Sequence, residues 1–307
     1  MDRWISWFVL WTLLLWPGLA GAGALDHLGI EVQTTRARPP LPLRPFDHPW
    51  PPADLLPDSR PGLGTLDVAE AWLVEPTTRY GHGVLGDAVE AAGLLVVLRD
   101  GRRLSYRLQD DSVFEDLQPR VADLDRDGRE EVVVVRSRPR AGAALAVFHV
   151  EGGSLRPRAE TPAIGRSNRW LNPVGVGDFD GDGRPEVAYV ETPHIGGILR
   201  IWRLMGDHLV QLGELRGFSN HAIGSRELGL SAILDLDGDG SDDLLLPDAT
   251  RRSLRVVSFA GRRFAELGRL EHDRPIVTGF TVGDQDGNGR DDVAYGLADG
   301  AWILLLR

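Results

Sequence analysis

The stretch VGDFDGDGRPEVAYV, residues 176–190, returns three more times along the chain. Its counterparts are VADLDRDGREEVVVV (121–135), LDLDGDGSDDLLL (234–246) and VGDQDGNGRDDVAYG (282–296). The first aspartates, Asp123, Asp178, Asp235 and Asp284, lie 55, 57 and 49 residues apart, and self-similarity at such a period marks a repeat architecture. Val174 and Val176 before the loop, and Val187 and Tyr189 after it, alternate with small or polar residues, so each unit reads as strand, acidic loop, strand. A third strand follows in AALAVFHV (143–150), LRIWRL (199–204), LRVVSFA (254–260) and AWILLLR (301–307), and a fourth in segments such as HLVQLGEL (208–215). Helical signals are nearly absent.

Repeated units of four short antiparallel strands predict an all-β fold of the β-propeller type. Residues 65–307, at a period of about 50, accommodate five blades. The fifth is the first in sequence, near GHGVLGDAVEAAGLLVVLRDGRRLSYRL (81–108), whose loop at Asp87, Val89 and Ala91 has lost the acidic pattern. The last unit has only three strands, and the segment VAEAWLV (68–74) is expected to supply its fourth, closing the ring and removing an open edge.

In a D-x-D-x-D-G loop the side chains at positions 1, 3 and 5 converge because glycine at position 6 permits a sharp turn. Position 7 offers a carbonyl, and position 9 brings another carboxylate. The candidate metal ligands are Asp123, Asp125, Asp127 and Glu131; Asp178, Asp180, Asp182 and Glu186; Asp235, Asp237, Asp239 and Asp243; and Asp284, Asp286, Asn288 and Asp292. Hard oxygen donors in a flexible loop suit Ca2+ better than zinc or copper. An EF-hand is excluded, because the twelfth positions are Val134, Tyr189, Leu246 and Tyr295 instead of glutamate. The sets hold fifteen carboxylates against a net charge of −11, so the acidity is concentrated in the loops.

These units resemble the FG-GAP, or VCBS-type, repeats of integrin-α-like β-propellers. The resemblance implies a calcium-loaded hairpin between the first two strands of a blade. The phenylalanine-glycine half of the family signature is poorly kept: the pairs before the loops are Val121-Ala122, Val176-Gly177, Ile233-Leu234 and Val282-Gly283. The whole chain also resembles short exported propeller proteins of Gram-negative bacteria.

The N-terminus reads as a secretory signal peptide over residues 1–24. Arg3 precedes the apolar run WISWFVLWTLLLW (4–16), then come Pro17, Gly18 and the sites Ala20-Gly21-Ala22 and Ala22-Gly23-Ala24. The run is short for a membrane span, so export is expected, to the periplasm or the medium, with no membrane span after cleavage. Nine prolines between Pro39 and Pro61 mark residues 25–64 as an extended arm. The chain has no Cys, and all 34 of its Lys and Arg residues are Arg. Thiol chemistry, a phosphate-loop lysine and a Schiff-base lysine are thereby excluded. The negative balance excludes nucleic-acid binding driven by phosphate neutralisation.

If the acidic hairpins share one rim, the opposite face gathers Arg79, His82, Trp170, Asn172, His194 and His221 as a candidate ligand face. No G-x-S-x-G, H-E-x-x-H or phosphate loop is present. The expectation is an exported calcium-binding module that binds or scaffolds a protein or carbohydrate partner outside the cytoplasm. The alternative is a carbohydrate-active enzyme, a glycosidase or lyase, working on the face opposite the calcium loops.

Overall fold

Strand follows strand in the computed structural model, which describes residues 24–39 and 51–307. Residues 1–23, which carry the expected signal peptide, and residues 40–50 of the arm lie outside the described residues. The protein is all-β. Among the described residues three sheets have four strands and one has nine, with neighbouring strands antiparallel. Among the described residues no helix is long and apolar enough to cross a membrane.

The nine-stranded sheet consists of two successive meanders. The first runs through Gly62–Leu63, Val68–Thr77, Glu90–Leu98 and Arg103–Arg107. The second runs through Arg120–Ala122, Glu131–Arg138, Gly142–Glu151 and Ser154–Glu160. The short strand Val113–Phe114 bridges them, pairing with Ala91 on one side and with Arg136 and Ser137 on the other. The third meander is Leu171–Gly177, Glu186–Glu191, Ile198–Met205 and His208–Arg216. The fourth is Ala232–Leu234, Asp243–Pro247, Ser253–Ser258 and Ala265–Glu271.

The last sheet corrects the sequence reading. Its strands Thr281–Gly283, Asp292–Gly296 and Trp302–Leu306 are completed by Glu31–Thr35, in register from Glu31 opposite Leu306 to Thr35 opposite Trp302. Residues 68–74 do not close this sheet; they pair with Glu90–Leu98 in the first meander. The physical reason is cover. Val68–Thr77 is buried without a break from Ala71 to Val74 and needs packing on both faces there, whereas Glu31–Thr35 is at least partly exposed at every residue, as an outer strand tolerates. The prolines of the arm begin at Pro39, so nothing prevents residues 31–35, read from sequence as part of the arm, from forming a strand.

In the second to fifth meanders the second strand is buried on both faces over its stretch EVVVV, EVAYV, DLLLP or DVAYG. Successive side chains enter different cores. Val187 and Tyr189 pack with Leu94, Val133 and Phe148 of the first two meanders. Ala188 and Val190 point the other way, toward Leu244, Leu246 and Val257 of the fourth. Leu245 in turn joins Val256, Val293 and Ile303. The sheets thus stack face to face in chain order, and each buried Val or Leu contributes about 1.5–3 kcal/mol.

Candidate metal centre

Four hairpins between the first and second strands carry the acidic motif, and they share one backbone geometry. The position-6 glycines Gly128, Gly183, Gly240 and Gly289 have φ of 86°, 83°, 90° and 85°, a left-handed conformation that a side chain would strain. Their N–H groups donate to the first aspartates, Asp123, Asp178, Asp235 and Asp284, at 3.0, 2.7, 3.1 and 2.9 Å. The position-9 carboxylates fold back to accept the N–H of position 2. Leu124 donates to Glu131, Phe179 to Glu186, Leu236 to Asp243 and Gln285 to Asp292, at 2.9, 2.9, 2.9 and 2.7 Å. Backbone donors fix one oxygen of each of these side chains and aim the acids inward.

Carboxylate oxygens therefore converge to within 4.8 Å of one another in four sets: Asp123, Asp125 and Asp127; Asp178, Asp180 and Glu186; Asp235, Asp237 and Asp239; and Asp284, Asp286 and Asp292. Asp182, Glu131, Asp243 and Asn288 complete the sequence-derived sets from the same loops. Burial pushes the Glu131 carboxyl up to about 7 and that of Asp243 up to about 6, with the neighbouring aspartates adding to both. Asp178 Oδ1 and Asp243 Oδ1 are buried and have no hydrogen-bond partner. An oxygen-only donor set with such atoms fits a hard divalent cation.

Several contributors were not singled out in the sequence. Arg158 bonds Asp125 and Glu131 in the first loop. In the second, Arg203 bonds Asp180, Asp182 and Glu186, and Arg262 reaches Asp180 from the neighbouring sheet. Position-8 acids link hairpin to hairpin. Glu130 accepts the N–H groups of Thr65, Leu66 and Val68 at 2.6, 3.0 and 3.2 Å, while Asp242 accepts that of Asp178 at 2.9 Å. The first meander's hairpin is thus residues 64–67, capped by Glu130. The segment around Asp87, read from sequence as the degenerate loop, instead connects the second and third strands at the other end.

That opposite end brings several of the candidate ligand-face residues together but buries three of them. His194 Nε2 and His221 Nδ1 lie 2.8 Å apart, and Trp170 stacks beside His194 at 6.2 Å. Trp170 is 2% exposed, and Asn172 and His221 are fully buried. Trp170 donates to the Glu115 carbonyl, while Asn172 donates to the carbonyls of Asn220 and Leu228. Burial lowers both His194 and His221 to about 4, so both rings are neutral at pH 7. His82 pairs with buried Glu115 at 2.7 Å. Arg79 bonds the Ser112 carbonyl and exposed Asp110. Partly exposed Arg79, His82 and His194 form the accessible portion. Asp248, an acid of the same end, accepts N–H groups of its own turn from Thr250, Arg252 and Ser253. Glu90 is fully buried there, with neither oxygen partnered, and burial raises it to about 9.

Residues 97–189, covering the first two acidic loops, match the FG-GAP-like repeat family. Over 131 residues, 41% of the chain, the sequence is 28% identical to human integrin alpha-IIb, of which that match spans 11%. Residues 97–189 therefore carry FG-GAP-like repeats. Among solved structures the chain is similar to the exotype rhamnogalacturonan lyase YesX, with a TM-score of 0.47, 17% identity, and coverage of 80% of this chain and 48% of that one. It is also similar to rhamnogalacturonan lyase PL11 of Bacillus licheniformis, with a TM-score of 0.44, 16% identity, and coverage of 66% and 47%. The chain spans about half the length of these two structures.

Proposed function

We propose that this protein is an exported, calcium-binding β-propeller of five four-stranded blades that acts as a binding or scaffold module in the cell envelope or outside the cell. Five antiparallel meanders in chain order, with Glu31–Thr35 completing the last sheet, support the blade count. The observation that carries the calcium reading is the repeated loop geometry: the same backbone donors hold the same carboxylates in four loops, whose oxygens converge within 4.8 Å. Without a cation, such groups repel one another. Bound calcium would neutralise them and fix the hairpins at one end of the sheets. Arg79, His82 and His194, at the other end, would then meet a protein or carbohydrate partner.

The test is elemental analysis of the purified chain, with melting curves in calcium and in EGTA. Bound calcium with a higher melting temperature supports the reading; no bound calcium and an unchanged melting temperature reject it. A partner is sought by thermal-shift screening with sugars, peptides and envelope fractions, using His194→Ala as the control.

A further inference from the structure

The four loops are alike in backbone and unlike in counter-charge. In the second loop, Arg203 is 6% exposed and lies among Asp180, Asp182 and Glu186. Its Nε donates to Glu186 Oε1 at 2.7 Å, its Nη1 to Asp182 Oδ2 at 2.7 Å and its Nη2 to Asp180 Oδ2 at 2.9 Å. Arg262 adds a bond to Asp180 Oδ2 at 2.8 Å. The remaining oxygens of these three side chains accept backbone N–H groups from Asp182, Arg184 and Phe179. In this loop Asp178 Oδ1 is left without a partner.

The third loop is the contrast. Among the described residues no arginine bonds Asp235, Asp237, Asp239 or Asp243. Asp243 is fully buried, and its Oδ1 has no partner. The strand register explains the difference. Arg203 stands one residue beyond the Val187–Trp202 pair, opposite Glu186. The same place in the fourth meander, one beyond the Leu244–Val257 pair, holds Ser258, which is short and neutral.

Resting on the calcium reading above, we propose that Arg203, joined by Arg262, is the resident cation of the second loop, so that calcium loads the third loop and not the second. A guanidinium fork matches several carboxylates at once. A calcium ion entering that loop would have to displace those bonds and would sit against two fixed positive charges. The third loop presents four carboxylates with no competing cation, and affinity rises with ligand charge.

The test is calcium titration of the full chain against a chromophoric chelator, with elemental analysis after gel filtration. Asp237→Asn is expected to lose the tightest calcium, and Asp180→Asn to keep it. Arg203→Met is expected to bind about one more calcium per chain. Arg262→Gln removes a half-exposed side chain and is the variant to use if Arg203→Met does not fold; it is expected to tighten binding in the second loop by about tenfold. The proposal is overturned if Asp180→Asn costs a tight calcium, or if the arginine variants bind calcium no better than the parent. A parent chain that binds no calcium rejects the calcium reading itself, whereas calcium bound equally in the second and third loops rejects only the assignment of Arg203.

Discussion

Asp178 and Asp242 hold each other across two neighbouring acidic loops: the N–H of Asp178 donates to the Asp242 carboxylate and the N–H of Asp242 donates to the Asp178 carbonyl, both at 2.9 Å. Asp178 opens the second loop, and Asp242 precedes the position-9 acid of the third. The pair makes the two hairpins one mechanical unit. Asp242→Ala removes the acceptor of a charge-assisted bond and is expected to cost about 1–3 kcal/mol. Denaturant unfolding in calcium measures the loss, and calcium titration should show the third loop weakened with it.

Calcium removal should destabilise the chain. At a calcium concentration about 100 times the dissociation constant, one site contributes roughly 2.7 kcal/mol. Differential scanning calorimetry across a calcium series checks this, with the melting temperature rising with the logarithm of free calcium.

Glu130→Ala tests the capped hairpin of the first meander. Its carboxylate serves three backbone donors at residues 65–68, and leaving them unsatisfied is expected to cost about 1–3 kcal/mol. Hydrogen exchange should show faster exchange at Thr65, Leu66 and Val68.

Trp170 is a packing residue at the ligand-face end. Because it is 2% exposed and donates to the Glu115 carbonyl, Trp170→Ala is expected to destabilise by about 3–5 kcal/mol. The sequence places Trp170 on the candidate ligand face; thermal melting of this variant distinguishes a packing residue from an exposed contact residue.

Glu90 should make stability fall on the alkaline side. Its folded value of about 9 lies above the ordinary 4.5 of a glutamate, because burial disfavours the anion. The native state then holds a proton that the unfolded state releases, so this contribution is full below pH 4.5 and lost as pH rises toward 9. The slope is at most about 1.4 kcal/mol per pH unit. His194 and His221, lowered to about 4 from 6.5, act in the opposite sense: their contribution is present above 6.5 and lost as pH falls toward 4. Glu90→Gln keeps the shape without the charge and should flatten the alkaline limb of a stability-against-pH curve.

The loops were legible in the sequence because their chemistry is local. The polar side chains at positions 1, 3, 5 and 9, a glycine at position 6 and flanking strands all lie within one hairpin, and a repeat of about 50 residues gives the all-β architecture. What lies across sheets was not legible. Arg203 meets Glu186 through strand register, Arg262 arrives from the next sheet, and Asp242 caps a loop 64 residues earlier. The closing strand was misplaced for the same reason. Both 68–74 and 31–35 have strand-like sequences, and only the partner offered by Trp302–Leu306 and the cover available to each decided between them. The sequence by itself determined the repeat, the strands and the four acidic loops, since these depend on neighbours along the chain. Which strand completes the last sheet, which loops carry an arginine and which ligand-face residues are buried were decided by tertiary structure. Pairing and burial depend on groups brought together from distant positions.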